Sequence, residues 1–315
     1  MQTILGANGT IGTLLAAELH NFTDRVRLVS RNPRKINDTD ELLSIDLTLP
    51  GSVDKAVKGS DVVYLMVGFD YNIKVWEKRW PSIMRDTIDA CIRHKSKLVF
   101  FDNVYLYDEN EIPQMNEESK VNPSSRKGTV RKEISDMLLS AVREGKLNAL
   151  IARSADYYGT DSKTSLVNQL IFKNLAGGKN AMWFMSTSKI HSFTYAPDAA
   201  KATALLGNTA DAYGQVWHIP TDSEKLTVAG FIGMIASELN IRPKIRVLPL
   251  FIIRTMGLFI PVMKEMPEMV YQYDRDYFFD SSKFVKRFGF KPTTYQEGIK
   301  EMCRNYLSFA RRPAA

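Results

Sequence analysis

The chain has 315 residues, of which 44% are hydrophobic, so it can bury a sizeable core and is not disordered. Its net charge is +7, but the basic residues are scattered without a run of five. We therefore expect an anionic small-molecule ligand and no nucleic-acid partner.

The cysteines and the N-terminus set further limits. Cys91 and Cys303 lie far apart, outside any CxxC or Cys/His cluster, and the four histidines show no metal-ligand spacing. The sequence thus predicts neither a disulfide nor a metal site. The opening residues MQTILGANG lack the basic and long apolar regions of a secretory signal, which predicts a cytoplasmic protein.

The first half of the chain alternates short β-branched runs with helical patterns. Strands are predicted at residues 3–5, 26–30, 61–67, 97–101 and 147–152, and helices near residues 10–20, 52–58, 74–94 and 126–144. This alternation predicts an α/β fold with a doubly wound parallel sheet, the Rossmann arrangement, covered on both faces.

The alternation weakens after residue 155, where only GQVWHI (214–219) resembles a further strand. We expect residues 1–158 to form an NAD(P)-binding Rossmann domain, to which residues 186–219 return. Residues 159–185 and 220–315 are predicted to form a smaller, discontinuous substrate lobe.

The most apolar stretch, VLPLFIIRTMGLFIPVM, spans 17 residues and is interrupted by Pro249, Arg254 and Pro261. It is marginal for a bilayer span and predicts a buried or interfacial helix. A membrane-surface role for residues 247–266 is an alternative that its few charges disfavour, so no membrane partner is expected.

The segment GANGTIG places three glycines at intervals of three between the first strand and the first helix. Such a loop gives a tight turn, lets a pyrophosphate approach the backbone and packs the helix on the strand, while helix amides face the phosphates. It predicts dinucleotide binding, with a plain tight turn as the alternative. The predicted cofactor residues here are Gly6, Asn8, Gly9, Thr10, Ile11 and Gly12.

The end of the second strand, VSRNPRK, carries no carboxylate for the adenosine ribose of NAD. Ser30 and Arg31 are instead placed to meet a 2′-phosphate, so NADP is favoured over NAD. Arg34 and Lys35 fit a solvated helix start equally well.

Five segments, in the right order, resemble the extended short-chain dehydrogenase/reductase superfamily, that is, the NAD-dependent epimerase/dehydratase family. Besides the glycine loop they are SIDLTLPGSVDKAVKGSDVVYLMVG, ARSADYYGT, HSFTYAPDAAKAT and DSSKFVKRFGFKPTTYQEGIKEM. The resemblance implies that Asp46 and Leu47 flank the adenine, that Met66, Val67 and Gly68 pass beside the dinucleotide, and that homodimers through paired long helices are common. Ordinary strand-end packing is the alternative for the strand-end residues.

Members of that family hold a serine or threonine after the fifth strand, then a tyrosine and a lysine spaced YxxxK on the next helix. In this chain Asp102 and Asn103 occupy the serine positions, Lys127 the tyrosine position and Arg131 the lysine position. None of the 13 tyrosines is followed by lysine four residues later. The sequence therefore predicts an atypical active site that lacks the usual proton donor.

The candidate catalytic residues are Asn103, Tyr105, Lys127 and Arg131. Tyr105 is the substitute acid, with aromatic packing as its alternative. Lys127 lies four residues from a like charge, which depresses an amine pKa and would favour a general base. Alternatively, Lys127 and Arg131 bind a phosphate or carboxylate, or are surface charges. Arg131 can donate hydrogen bonds to a ribose but cannot release a proton.

Two functions are compatible with these residues. The first is an NAD(P)-dependent oxidoreductase or epimerase acting on a small or nucleotide-linked substrate. The second is a non-catalytic NAD(P)-binding redox sensor or regulatory protein. Only the resemblance supports the reaction class, since a fold by itself does not specify a function.

Overall fold

The computed structural model describes residues 1–160, 162 and 164–310, and it divides into two compact units. Unit 1 comprises Met1–Tyr107, Val121–Ser154 and Ala199–Ile219, and unit 2 comprises Asp108–Lys120, Ala155–Asp198 and the described residues from Pro220 onward. Residues 108–120, 155–158 and 186–198, predicted to lie with the nucleotide-binding domain, are grouped with unit 2. The predicted substrate lobe includes Asp161, Lys163 and residues 311–315, which lie outside the described residues.

The strands, in chain order, are β1 (Gln2–Leu5), β2 (Val26–Ser30), β3 (Glu41–Ser44), β4 (Val62–Leu65), β5 (Lys97–Asp102), β6 (Ala149–Arg153), β7 (Asp156–Tyr158), β8 (Ala181–Phe184), β9 (Phe193–Tyr195), β10 (Val216–His218) and β11 (Ile245–Leu248). The α-helices are α1 (Thr10–Leu19), α2 (Ser52–Val57), α3 (Ile73–His94), α4 (Arg126–Arg143), α5 (Lys173–Ala176), α6 (Ala196–Gly207), α7 (Val228–Glu238), α8 (Leu250–Met256), α9 (Pro261–Lys264), α10 (Ser282–Phe288) and α11 (Tyr295–Ala310).

Unit 1 is built on a seven-stranded parallel sheet in the order β10-β6-β5-β4-β1-β2-β3. All four residues of β1 and of β4 are buried, as expected for central strands covered on both faces. The predicted doubly wound parallel sheet is confirmed. The strand that sequence reasoning missed is β3, an edge strand whose residues are mostly exposed and therefore lack an apolar run.

Two long helices, α3 and α4, pack against each other in unit 1. The side chain of Asn72 caps α3 by accepting hydrogen bonds from the backbone N–H groups of Lys74 and Val75. The Ser125 hydroxyl caps α4 by accepting from the N–H of Gly128. These caps fix where each helix begins, and α4 carries Lys127 and Arg131.

Unit 2 contains two parallel strand pairs, β7 with β9 and β8 with β11. The prediction of one buried or interfacial helix over residues 247–263 is wrong, because this stretch forms the end of β11, then α8 and α9. Pro249 precedes α8 and Pro261 is the first residue of α9, so the prolines start new helices rather than continue one. Among the described residues, no helix is long and apolar enough to cross a membrane.

The glycine at the end of α6 gives a test of packing in unit 1. A Cβ at Gly207 would lie 2.2 Å from the hydroxyl oxygen of Tyr64, a fully buried residue of β4. We expect Gly207→Ala to lower the free energy of unfolding by about 1–3 kcal/mol, since the tyrosine must shift. Urea denaturation measures this difference.

Gly233 provides the matched control, because it lies within α7 and a Cβ there meets no atom within 4 Å. Gly233→Ala should leave stability unchanged or raise it by up to about 1 kcal/mol, through helix propensity. Equal effects of the two substitutions would contradict the packing described for α6.

Candidate functional site

The glycine loop follows β1, and its backbone packs directly against the backbone of the residues after β4. Gly6 has φ +92°, a left-handed conformation that favours glycine. A Cβ at this position would lie 2.9 Å from the carbonyl group of Met66 and from the Cα of Val67. Two independent constraints therefore require glycine here, and they bring the predicted cofactor segments of β1 and β4 together.

The same loop leads into α1, whose N-terminus carries no capping side chain. Gly9 precedes α1 and has no side chain to cap it, and no acidic residue occupies the first turn. A Cβ at Gly12 would lie 2.9 Å from the carbonyl oxygen of Gly6, so this glycine lets α1 pack closely on the loop. The positive end of the helix dipole is thus available to an anion, and this glycine cradle fits the pyrophosphate of a dinucleotide.

The position of the loop in the sheet agrees with this assignment. β1 and β4 are neighbours, paired from Gln2 opposite Val62 to Leu5 opposite Leu65. Strand order reverses between them, since β2 and β3 lie on one side and β5, β6 and β10 on the other. Ligands of doubly wound sheets bind at the carboxyl ends of the strands at such a switch point.

The end of β2 holds the predicted adenosine-side residues. The Oγ atom of Ser30 is buried and forms no hydrogen bond with any described residue. Such an orphaned hydroxyl costs free energy unless a ligand or water completes it, which fits a cofactor ribose. The side chain of Asn8 donates a hydrogen bond to the carbonyl oxygen of Asn32 at 2.6 Å, so it ties the glycine loop to the loop after β2.

The carboxylate of Asp46 lies two residues beyond β3, which pairs with β2 through Ser44 opposite Ser30. Hydrogen bonds from the backbone N–H and the hydroxyl of Thr48, at 2.9 and 2.8 Å, lower the pKa of Asp46, and the charge of Arg31 adds to this effect. The neighbouring Leu47 is buried in the core of unit 1. Asp46 is thus held as a carboxylate at the same sheet edge as Ser30 and Arg31.

The reactive end of the predicted site is occupied by a buried ionic cluster. The Nε of Arg131 donates to Asp102 Oδ1 at 2.7 Å, and a second guanidinium nitrogen pairs with the same oxygen. The Nε of Arg153 lies 3.5 Å from Asp102 Oδ2, and the hydroxyl of Ser135 donates to that oxygen at 3.3 Å. Asp102, Arg131 and Arg153 are only 2%, 3% and 2% exposed.

Three aromatic rings also contact the Arg131 guanidinium. Its Cζ lies 4.3 Å from the ring centroid of Trp80, 5.1 Å from that of Phe100 and 5.7 Å from that of Trp76. Cation–π contacts and a carboxylate partner together stabilise a charge in a site from which water is excluded. Arg131 is therefore held in the interior of unit 1.

Lys127 is fully buried, so the alternative that it is a surface charge is wrong. Its Nζ lies 4.7 Å from the ring centroid of Tyr71. The next residue, Gly128, holds α4 against the loop after β5, because a Cβ there would lie 2.3 Å from the carbonyl oxygen of Tyr105.

Asn103 and Tyr105 follow β5 directly and are both half-buried. The side-chain oxygen of Asn103 accepts a hydrogen bond from the backbone N–H of Tyr105 at 3.1 Å, which orders the turn. The ring of Tyr105 stacks on Trp76, with centroids 6.2 Å apart. The phenol of Tyr105 thus stands at the carboxyl end of the sheet on a turn fixed at two points.

Two residues of the hydrogen-bond network around the ionic cluster, Ser135 and His218, were not predicted from the sequence. Arg153 donates to the Tyr107 hydroxyl at 2.8 Å, and that hydroxyl lies 2.8 Å from the Nε2 of His218. Ser135 and His218 gave no signal, since their partners are 33 and 111 residues away along the chain. An arginine closing a fully buried strand, as Arg153 does in β6, is the one local hint of an internal carboxylate.

Unit 2 holds a cavity of about 330 Å³ that none of the predicted site residues lines. Its polar lining comes from residues after β10 and from residues around the start of α10, namely Thr221, Asp222, Ser223, Asp280, Ser281 and Ser282. Elsewhere in unit 2, the buried His191 pairs with Asp156 at 2.9 Å and stacks on Tyr277. No group of three metal-ligating side chains occurs within the part of the chain that the structure describes.

The model of the NAD-dependent epimerase/dehydratase family matches residues 3–219. This match confirms the resemblance carried by the sequence motifs. No curated protein matches the chain.

Several solved structures share the fold. A dTDP-glucose 4,6-dehydratase from Streptomyces venezuelae with NAD bound is 15% identical, with a TM-score of 0.79 and 98% of this chain and 97% of that chain covered. A UDP-glucuronic acid 4-epimerase from Bacillus cereus in complex with NAD is 16% identical, with a TM-score of 0.78 and coverage of 99% and 100%. A UDP-glucose 4-epimerase from Thermus thermophilus in complex with NAD is 15% identical, with a TM-score of 0.77 and coverage of 98% and 99%.

The predicted preference for NADP over NAD is contradicted by these comparisons, because the dinucleotide in the similar structures is NAD. The physical reason lies at the sheet edge. The sequence prediction considered only a carboxylate directly after β2. Asp46 lies instead beyond the adjacent strand β3, and the positive charge of Arg31 helps to lower its pKa. A basic residue after β2 is therefore no evidence for a 2′-phosphate in this chain.

The ionic cluster leads to a stability prediction. Asp102→Asn would leave two buried guanidinium groups without their carboxylate, and we expect a loss of about 3–5 kcal/mol in the free energy of unfolding. The control is Asp136→Asn on the same helix as Arg131, which removes an exposed i,i+4 pair with Lys132. That loss should be below about 0.5 kcal/mol. Similar losses in the two variants, measured by urea denaturation, would show that the cluster does not stabilise unit 1.

Proposed function

The chain belongs to the NAD-dependent epimerase/dehydratase family, and we propose that it binds NAD and catalyses a reaction on a nucleotide-linked sugar. The observation that carries the proposal is the glycine loop, where Gly6 and Gly12 can accept no Cβ and α1 begins without a capping side chain. A turn alone does not require both the left-handed Gly6 and an open helix start, whereas pyrophosphate binding uses both.

In this proposal the dinucleotide is held by segments of unit 1 at the carboxyl ends of β1, β2 and β4. The backbone N–H groups at the start of α1 bind the pyrophosphate, and the Ser30 hydroxyl and the region of Arg31 and Asp46 bind the adenosine. The exposed Gly68 and its neighbours Met66 and Val67 line the path towards the nicotinamide.

NAD, when bound, would supply a hydride acceptor. The chain must then supply a group that exchanges a proton with a substrate hydroxyl, and we assign this role to the phenol of Tyr105. Its support is positional, since Tyr105 follows β5 and its ring is fixed by Trp76 and its backbone by Asn103. Arginine cannot act in this way, because Arg131 keeps its proton at any ordinary pH.

Lys127 and Arg131 are assigned to positioning rather than to proton exchange. Arg131 binds α4 to the end of β5 through Asp102, and Lys127 lies against the ring of Tyr71 in the interior. The assignment to a nucleotide-linked sugar rests on the similar structures, whose names are those of UDP-sugar epimerases and a dTDP-glucose dehydratase.

One observation favours a second function, a non-catalytic NAD-binding protein with a sensing or regulatory role. The two dyad positions carry cations that are both buried, and Arg131 is engaged by a carboxylate and three aromatic rings. Loss of the proton-exchange machinery with retention of the nucleotide loop would leave such a site. The two functions differ in turnover but share the cofactor.

NAD binding is tested by Gly68→Ala, since a Cβ at this position meets no atom within 4 Å and should not perturb the fold. If the dinucleotide passes Gly68, the added methyl group should raise the Kd for NAD by about tenfold while the unfolding midpoint stays unchanged. Calorimetric titration measures the Kd, and Gly233→Ala in α7 is the control. An unaltered Kd in Gly68→Ala would remove this segment from the cofactor site.

Catalysis is tested by offering UDP-glucose, UDP-glucuronic acid and dTDP-glucose to the NAD-loaded protein and following the sugar by NMR. Tyr105→Phe should lower turnover about 10²- to 10⁴-fold without changing the Kd for NAD, because only the proton-exchanging hydroxyl is lost. Tyr71→Phe is the matched control and should retain turnover, since its ring against Lys127 is preserved. Tight NAD binding without turnover of any sugar would instead support the non-catalytic function.

A further inference from the structure

The segment from residue 241 to 264 of unit 2, here called the apolar tip segment, exposes large hydrophobic side chains. Phe251 is 67% exposed, Leu258 78% and Phe259 83%, and Ile260 and Val262 are also exposed. Large exposed apolar side chains that cluster along one segment are typical of an interaction site. The burial of Ile253 and Met266 shows that the segment is anchored in unit 2 by its other side.

The tip between α8 and α9 is ordered by its own backbone hydrogen bonds. The N–H groups of Leu258, Phe259 and Ile260 donate to carbonyl oxygens of Thr255 and Met256 at 2.8–3.2 Å. Gly257 is close-packed on α9, since a Cβ there would lie 3.0 Å from the Cα of Lys264. Backbone donors that are already paired can leave water at little cost, which is what insertion into a lipid interface requires.

The charge of the segment has one sign. It contains five basic residues and no acidic residue, and all five are exposed, namely Arg242, Lys244, Arg246, Arg254 and Lys264. Three of these, Arg242, Lys244 and Arg246, precede the apolar run that begins at residue 247. That run by itself therefore carries fewer charges than the whole segment 241–264. A segment that exposes both large apolar and basic side chains matches an anionic lipid surface.

We propose that the apolar tip segment docks the protein on the surface of a bilayer that contains anionic phospholipids. Phe251, Leu258 and Phe259 enter the boundary between headgroups and acyl chains, and the basic residues contact the lipid phosphates. A second copy of the chain fits less well, because a two-fold contact would bring two sets of five positive charges together. This surface contact needs no membrane-spanning helix and is independent of the NAD site.

The experiment is vesicle flotation of the full-length protein. Phosphatidylcholine vesicles with roughly one third phosphatidylglycerol should bind it, whereas vesicles of phosphatidylcholine alone, or added salt, should weaken binding about tenfold. The double variant Leu258→Ser, Phe259→Ser should lower the partition coefficient at least about tenfold. The matched control is Leu49→Ser, Phe22→Ser, which removes an exposed leucine and an exposed phenylalanine from unit 1 and should bind as the wild type does.

Three results would overturn the proposal. The wild type could fail to bind anionic vesicles, or the variant at Leu258 and Phe259 could bind them as the wild type does. Light scattering could instead show a wild-type dimer that this variant converts to a monomer without any vesicle binding, which would make a second copy the occupant. Because the altered residues are exposed, the variant should keep the wild-type unfolding midpoint, and this measurement separates loss of docking from loss of fold.

Discussion

The carboxylate of Asp102 fixes the part of unit 1 on which the functional assignment depends. It stands at the end of β5, is almost fully buried, and holds Arg131 of α4 and Arg153 of β6. A strand end, a helix and the neighbouring strand are thereby joined at one charged point. Since a buried ion pair is costly to break on one side only, the cluster holds α4 against the end of β5.

The cofactor end of the site depends on steric and helix-dipole constraints instead of a buried ion pair. At Gly6 and Gly12 the constraint is steric, because backbone meets backbone with no space for a Cβ. At the start of α1 the constraint is electrostatic, because the helix begins without an opposing side chain. Neither depends on the residues of the dyad. The constraints on the nucleotide loop are therefore separate from the contacts that hold Lys127 and Arg131.

The sequence predicted those parts whose signals are local. The glycine loop, the central strands and the long helices α3 and α4 follow from residues close together in the chain. β3 was not predicted because an exposed edge strand has no apolar run. The partner of Arg131 was not predictable either, since Asp102 lies 29 residues away and no periodicity links them. The apolar stretch from residue 247 was misread because composition alone does not tell an exposed tip from a buried helix.

We propose, as the central claim, that Asp102 keeps Arg131 in the interior, so that this arginine organises α4 instead of binding the cofactor as the sequence predicted. A crystal structure with NAD bound tests it most directly, through the distance between the Arg131 guanidinium and the Asp102 carboxylate. We expect the pair to stay within hydrogen-bonding distance, as in the structure described here. A guanidinium that has left Asp102 and binds the nicotinamide ribose would contradict the account.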